Sequence, residues 1–333
     1  MTVLVTGGAG YIGSHTCVAL VESGYDVVVV DNLSNSDVTM VESVVELSDH
    51  SIGFYEVDIC DEKALESVFK EQSSQGCPIE AVVHFAALKS VSESFEKPKL
   101  YHANNVGGTE ALIKVMKSNG VEKLVFSSSC TVYGQPEEMP VDESAPFLLA
   151  ESPYGETKQK CEKMISKSGL TAAILRYFNP IGAHSSAKIG ELPIGVPNNL
   201  IPFLCQVVAG LRPELIVFGD DYPTEDGSCI RDYLHVCDLA DAHVAALENH
   251  SKSIRAYNLG TGKGTSVLEV IASFENATGE KVPFKLGPRR EGDIISIWAN
   301  PSRAQAELKW TAKRTIKEAL GDAWRWQKEL VSK

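Results

Sequence analysis

A tyrosine and a lysine four residues apart, in the stretch SPYGETK, are the first residues of this chain whose types and spacing suggest chemistry. In a helix, Tyr154 and Lys158 lie on one face, a turn apart. Ser152 suits the N-cap, and Pro153 suits the first helical position, where its missing N–H is no loss. A phenol titrates near 10, so a phenolate base at neutral pH must fall by about three pH units, roughly 4 kcal/mol. A nearby ammonium and a helix N-terminus both act in that direction. A hydroxyl to orient a substrate alcohol comes from the serines of FSSSCTVYG, Ser127 to Ser129. Together these parts make a site for hydride transfer between an alcohol and a ketone. The pair alone would also suit the exposed start of an amphipathic helix, and the serines would also suit a turn, so the surroundings decide.

The surroundings include a place for a dinucleotide. TGGAGYIG follows an apolar run and opens a helical one, fitting both Gly8-x-Gly10-x-x-Gly13 and Gly7-x-x-Gly10-x-x-Gly13. Glycines there allow a tight turn, close approach of pyrophosphate to backbone, and helix–strand packing, while the helix N-terminus faces the phosphates. Asp31, eighteen residues after Gly13, ends the second apolar run. Its carboxylate can accept from both ribose hydroxyls and would repel a 2′-phosphate, which favours NAD over NADP. Asp58 ends the third run, within reach of the adenine edge or simply as a capping residue.

The elements that must position these groups alternate. TVLVT, DVVVVD, IGFYEVD, EAVVHFAA and KLVFSSS read as buried parallel strands, separated by segments of helical period. This predicts an α/β fold with a doubly wound parallel sheet, its ligands at the carboxyl ends of the strands. After TAAILRYFNP the pattern breaks into shorter elements rich in Gly, Pro and Asn, a region expected to cover a ligand, and SIRAYNLG reads as a strand returning to the sheet. No run of eighteen apolar residues predicts a membrane helix, and MTVLVTGG enters a strand without a signal-peptide pattern. The eight cysteines show neither C-x-x-C nor zinc spacing, so reduced thiols, a cytoplasmic location and no metal are expected. A net charge of −13 argues against nucleic acid or an acidic membrane as partner.

From Val3 to about Trp326 the chain resembles the extended short-chain dehydrogenases/reductases, and among them the UDP-glucose 4-epimerase (UDP-galactose 4-epimerase) family. TGGAGYIGSH, DNLSNS, HFAALKSVSES, NNVGGT, FSSSCTVYG, SPYGETK, LRYFNPIGAH, NNLIP, DYPTEDGSCIRDY and REGD carry the likeness. The resemblance implies a Rossmann-type NAD-binding domain over 1–180, with a returning segment around 236–262, and a smaller α/β UDP-sugar-binding region over 181–333. It also implies a tightly held NAD, regenerated in each cycle of C4 oxidation, rotation of the 4-ketose and re-reduction. Tyr154 is then the base, Lys158 its electrostatic partner and a ribose ligand, and Ser129 the substrate-orienting hydroxyl. Gly7, Gly10, Tyr11, Ile12, Asp31, Asn32, Asp58, Ile59, Phe85, Ala86, Lys89, Asn104, Ser127 and Tyr177 match NAD-contacting positions. Asn179, Asn199, Leu200, Val217, Phe218, Arg231, Arg290 and Asp293 match the UDP-sugar pocket, which Lys89, Ser129 and Tyr154 also face. Two arginines suit a diphosphate clamp, or each could be a surface ion pair.

Related activities fit less well. A dehydratase of this family places an Asp–Glu pair after the orienting hydroxyl, where this chain has Cys130 and Thr131. The same fold would also serve a UDP-N-acetylglucosamine epimerase, a decarboxylase or a non-catalytic NAD sensor. A sensor typically loses the Tyr or the Lys, and both are present. Ile297 falls where glucose-restricted relatives tend to carry tyrosine and N-acetyl-tolerant ones a small residue, so it is read as a gate on the C2 substituent or as a core filler. The resemblance further implies a homodimer through the helix around 100–119 and the one after Ser152, although Leu112, Val115 and Met116 could equally pack within one chain.

Overall fold

The computed structural model describes residues 1–249, 253–290 and 293–332. Five runs holding β-branched residues and one aromatic run, GFYE of β3, form β1 (Thr2–Thr6), β2 (Asp26–Asp31), β3 (Gly53–Glu56), β4 (Ile79–His84), β5 (Lys123–Ser129) and β6 (Thr171–Tyr177). Between them lie α1 (Tyr11–Glu22), α2 (Thr39–Ser48), α3 (Glu62–Ser74), the short α4 (Val91–Glu96) and α5 (Pro98–Tyr101), α6 (Gly108–Ser118) and α7 (Pro153–Ile165). Shorter elements follow: β7 (Asn179–Ile181), α8 (Leu200–Val208), β8 (Leu215–Phe218), β9 (Ile230–Arg231) and β10 (Tyr233–His235). Then come α9 (Val236–Glu248), β11 (Arg255–Leu259), β12 (Thr265–Ser266), α10 (Val267–Thr278), β13 (Phe284–Gly287), β14 (Ser296–Ile297) and α11 (Ile316–Ser332).

Seven strands make one parallel sheet in the order β11-β6-β5-β4-β1-β2-β3. Successive side chains of a strand point to opposite faces, so each strand feeds two cores. Val3, Val5 and Val29 pack with Leu20 of α1 and Leu239 of α9 on one side. Leu4, Val28 and Val82 pack with Phe69 of α3, Leu112 and Met116 of α6 and Ile165 of α7 on the other. Leu112, Val115 and Met116 are therefore part of this chain's own core. The strand order reverses between β1 and β4, and a crevice opens there at the carboxyl ends.

The remaining strands form three small sheets, β7 with β10, β8 with β13, and β9 between β12 and β14. A separate core of Leu204, Val217, Val270, Phe274, Leu320 and Trp324 gathers α8, β8, α10 and α11. β11 and α9 belong to the large sheet and its cover although they follow these pieces in the chain. No helix among the described residues is long and apolar enough to cross a membrane.

Candidate functional site

The crevice is floored by glycines. Gly7 has φ +73°, and a Cβ there would lie 2.7 Å from the Ala86 amide nitrogen. A Cβ on Gly13 would lie 2.2 Å from the Gly7 carbonyl oxygen. Bare backbone is what lets this loop fold so tightly against the end of β4. Gly10 caps α1 without a side-chain bond, so the first-turn amides stay open to a ligand.

Asp31 closes the far end, only 7% exposed. Its Oδ2 accepts from the Ala9 amide at 3.1 Å, and its Oδ1 accepts from the Leu33 amide at 3.0 Å and the Ser36 hydroxyl at 2.8 Å. The carboxylate thus braces the glycine loop against residues 32–36. Asn32 donates to Asp58 Oδ2 at 3.1 Å, while Asp58 Oδ1 accepts from the Cys60 amide at 2.8 Å.

One cleft brings together Gly7, Gly10, Tyr11, Ile12, Asp31, Asn32, Ile59, Phe85, Ala86, Lys89, Asn104, Ser127, Tyr154, Lys158 and Tyr177. Asp58 lies outside this lining, occupied by its own turn and Asn32. Gly13 of the glycine pattern also lines the cleft, as do Ser34, Asn35, Ser36, Val57 and Ala87, which sequence reasoning missed as ligand contacts. The DNLSNS loop after Asp31 was the available signal for the serines. Asn104 lies in a π-helical turn, His102–Gly107, and its neighbour Asn105 is buried. Asn105 accepts from the Leu88 amide at 2.8 Å and donates to Thr157 Oγ1 at 3.1 Å, tying the segment after β4 to α7.

α7 begins as the sequence predicts. Ser152 accepts from the Gly155 amide at 3.1 Å, with Pro153 at the helix start. Tyr154 and Lys158 are both buried. Lys158 Nζ donates to the Ser127 carbonyl at 2.7 Å and lies 5.0 Å from the Phe126 ring centre and 5.9 Å from that of Tyr154. The Ser127 hydroxyl pairs with the Tyr177 hydroxyl at 2.5 Å, and Ser129 Oγ accepts from the Thr131 amide at 3.2 Å. Burial pushes the Tyr154 phenol well above its ordinary range, the Tyr177 phenol adds to that, and a hydrogen bond with Ser129 opposes it. Burial pushes the Lys158 ammonium down to about 8, against the pull of Cys161 and Glu162. Both shifts favour the neutral forms, so an activated phenolate needs further positive charge in the cleft.

Beyond the cleft, Asp293 gathers charge. Arg290 donates to it at 2.7 and 3.2 Å, and Arg231 stands 3.9 Å away. The Arg290 guanidinium also lies 5.5 Å from the Phe218 ring centre. Glu291 and Gly292 of the REGD stretch fall outside the described residues. Asn199 caps α8, just ahead of Leu200, and donates to Glu191 at 2.7 Å; Lys89 pairs with the same carboxylate at 3.6 Å. The Asn179 amide donates to the Asp232 carbonyl at 2.9 Å.

Two residues expected at the UDP-sugar pocket are deeply buried. Val217 is 1% exposed and packs in the core, because β8 alternates and presents Ile216 and Phe218 outward. Ile297 is 2% exposed, in a cluster with Val132, Tyr133, Val141 and Phe178. That packing favours the filler over the gate. No group of metal-ligating side chains was found among the described residues.

Known proteins share this sequence pattern and fold. Residues 3–260 match the model of the NAD dependent epimerase/dehydratase family. The UDP-glucose 4-epimerase of Schizosaccharomyces pombe is 52% identical over 98% of this chain and 94% of its own length. That of Bacillus subtilis is 50% identical over 100% of this chain and 98% of its own. A crystal structure of the Stenotrophomonas maltophila UDP-glucose-4-epimerase with bound NAD and formylated UDP-arabinopyranose superposes with a TM-score of 0.96 at 48% identity, covering 100% and 99% of the two chains. The Bifidobacterium longum enzyme in complex with NAD+ and UDP gives 0.94 at 44%, covering 99% and 98%.

Proposed function

This chain belongs to the NAD dependent epimerase/dehydratase family, among its UDP-glucose 4-epimerases, and from that premise we infer that it interconverts UDP-galactose and UDP-glucose. The observation that carries the reading is that Tyr154 and Lys158, one turn apart on α7, line the same cleft as the glycine loop. The cleft fits a dinucleotide, since Gly7 and Gly13 let the loop fold tightly enough to bring the open first-turn amides of α1 to a pyrophosphate. The group that Tyr154, Lys158 and the glycine loop would hold, NAD, would supply the hydride acceptor for C4 and a positively charged ring.

In this reading Tyr154 takes the C4 hydroxyl proton, and later returns it to the other face of the sugar. Lys158, anchored on the Ser127 carbonyl, holds positive charge beside the phenol and reaches the nicotinamide ribose. Ser129 orients the reacting hydroxyl. Asp31 receives the adenosine ribose and disfavours a 2′-phosphate. Arg231 and Arg290, steered by Asp293, grip the diphosphate, which leaves the sugar free to turn. Asn179, Asn199 and Phe218 complete the UDP-sugar side, and Val217 can contribute only backbone. Cys130 and Thr131 offer no carboxylate for elimination, which supports epimerisation over dehydration.

The test is to purify the protein without added cofactor and follow UDP-galactose by NMR. UDP-glucose should appear, and denaturation should release roughly stoichiometric NAD. A requirement for an external reductant, or recovery of NADP, would contradict the reading.

A cytoplasmic homodimer completes the proposal. Eight unpaired cysteines support a reducing compartment. With Leu112, Val115 and Met116 committed to the chain's own core, Val91 and Phe95 of α4 and Leu100 of α5, all exposed, are apolar groups available to a second copy on that side.

A further inference from the structure

α7 carries a third buried group in line with Tyr154 and Lys158. Glu162 follows Lys158 by one turn and is 4% exposed. Its carboxylate receives Arg176 of β6 from two nitrogens, Nη2 at 2.6 Å and Nε at 3.0 and 3.2 Å, and the Ser128 hydroxyl of β5 at 2.5 Å. Ser128 lies between Ser127, whose carbonyl holds Lys158, and Ser129. The network continues: Arg176 Nη1 donates to the Tyr133 hydroxyl at 3.0 Å, and Tyr133 donates to Asn258 of β11 at 2.7 Å. One carboxylate therefore joins the helix bearing the base to both strands beneath it.

A buried ion pair is weak evidence for stability, because desolvation offsets most of its attraction. Well-packed apolar residues would hold α7 as firmly. What they would not provide is a fixed negative charge one turn from a buried ammonium, with an orientation set from both strands.

We propose that Glu162, seated by Ser128 and Arg176, is a positioning residue that keeps Lys158 an ammonium and holds it against the Ser127 carbonyl. The inference rests on the reading of Tyr154 and Lys158 as base and partner. Around that pair stand Cys161 and Glu162 of α7, the His84 ring of β4, and Phe126 and the Ser127 carbonyl of β5. Tyr177 of β6, Cys130 of the turn after β5 and Tyr101 of α5 complete the set. Burial holds His84 neutral, down at about 3, and pushes the Tyr177, Tyr101 and Cys130 protons up. Glu162 is thus the carboxylate of this group, and Arg176 is its paired counter-charge on β6. The field of Glu162 opposes the burial that pulls Lys158 down to about 8.

The sign of the effect is definite. Activity needs Lys158 protonated, so its titration sets the alkaline limb of the pH profile. Losing the carboxylate lowers that limb, and the phenol's acid limb moves down with it, because a negative neighbour has gone. A purely structural loss would lower kcat and leave both limbs in place.

The experiment is the pH profile of kcat/KM for UDP-galactose with wild type, Glu162→Gln, and the double variant Glu162→Gln/Arg176→Met, which removes both charges and avoids an unpaired buried guanidinium. Thermal midpoints are measured alongside. The alkaline limb should fall by about one pH unit in Glu162→Gln and move the same way in the double variant. If both folded variants keep the wild-type limbs, the inference is overturned, whatever their kcat; if only the double variant folds, its limb alone decides. Lys158→Ala separates the two levels. Should it abolish the alkaline limb while the Glu162 variants leave it unmoved, only the present inference fails. An unmoved limb in Lys158→Ala removes the reading of Lys158 as electrostatic partner, and this inference with it.

Discussion

On the dinucleotide side the chain meets its ligand with backbone and buried groups: glycines packed to van der Waals limits, open helix amides, and Asp31 held by three donors. On the UDP-sugar side it offers long charged side chains that rest on one another, with Arg290 56% exposed and paired with Asp293. The first side is shaped before binding, and on the second, in the proposed reading, Asp293 keeps Arg231 and Arg290 turned toward the diphosphate. That difference suits an enzyme that keeps its cofactor and releases its substrate. It also says where each kind of damage should appear, in retained NAD or in KM.

The largest effect is expected where the two sides meet. Tyr154→Phe keeps the ring and removes the proton acceptor, so turnover should fall by at least about a hundredfold with NAD still bound. Activity within threefold of wild type would remove Tyr154 from the mechanism. Gly13→Ala attacks the preformed side alone. Its Cβ would lie 2.2 Å from the Gly7 carbonyl and 2.8 Å from the Gly8 Cα, backbone that cannot yield cheaply. The protein should purify depleted of NAD, and activity without added cofactor should drop by at least about tenfold. Full NAD content would show that the cradle is softer than its contacts suggest.

Asp293→Asn attacks the other side. Losing the carboxylate releases Arg231 and Arg290 from their shared orientation, so KM for UDP-galactose should rise by about three- to tenfold with kcat and NAD content little changed. A fall in NAD content would break the proposed division between the sides. The smallest effect is expected at Ile297. Inside a packed cluster, Ile297→Tyr overfills and Ile297→Cys opens a small void, so thermal midpoints should drop. The ratio of kcat/KM for UDP-N-acetylglucosamine to that for UDP-glucose should move by less than about threefold, below what a pocket contact usually controls. A tenfold gain in Ile297→Cys would make the residue a gate despite its burial.

The same contrast explains how much was legible in the sequence. The glycine loop could be read because spacing there is geometry: only residues without Cβ fit between Gly7, Gly13 and Ala86. Ser152, Pro153, Tyr154 and Lys158 could be read because helix capping and a four-residue repeat fix a shared face. Val217 and Ile297 were harder, since each lies in a strand of four residues or fewer whose facing depends on neighbours far along the chain. Glu162 and Arg176 were invisible. A glutamate near the end of a charged helix looks like solvated surface, and only the packing of α7 on β5 and β6 shows that it is buried.

In the proposed reaction one carbon gives up and regains the same hydride within one site. The most direct measurement is turnover of UDP-galactose deuterated at C4 in unlabelled water, without added NAD. The deuterium should remain at C4 of the UDP-glucose formed. Its loss to solvent, or its appearance in a released cofactor, would contradict the account.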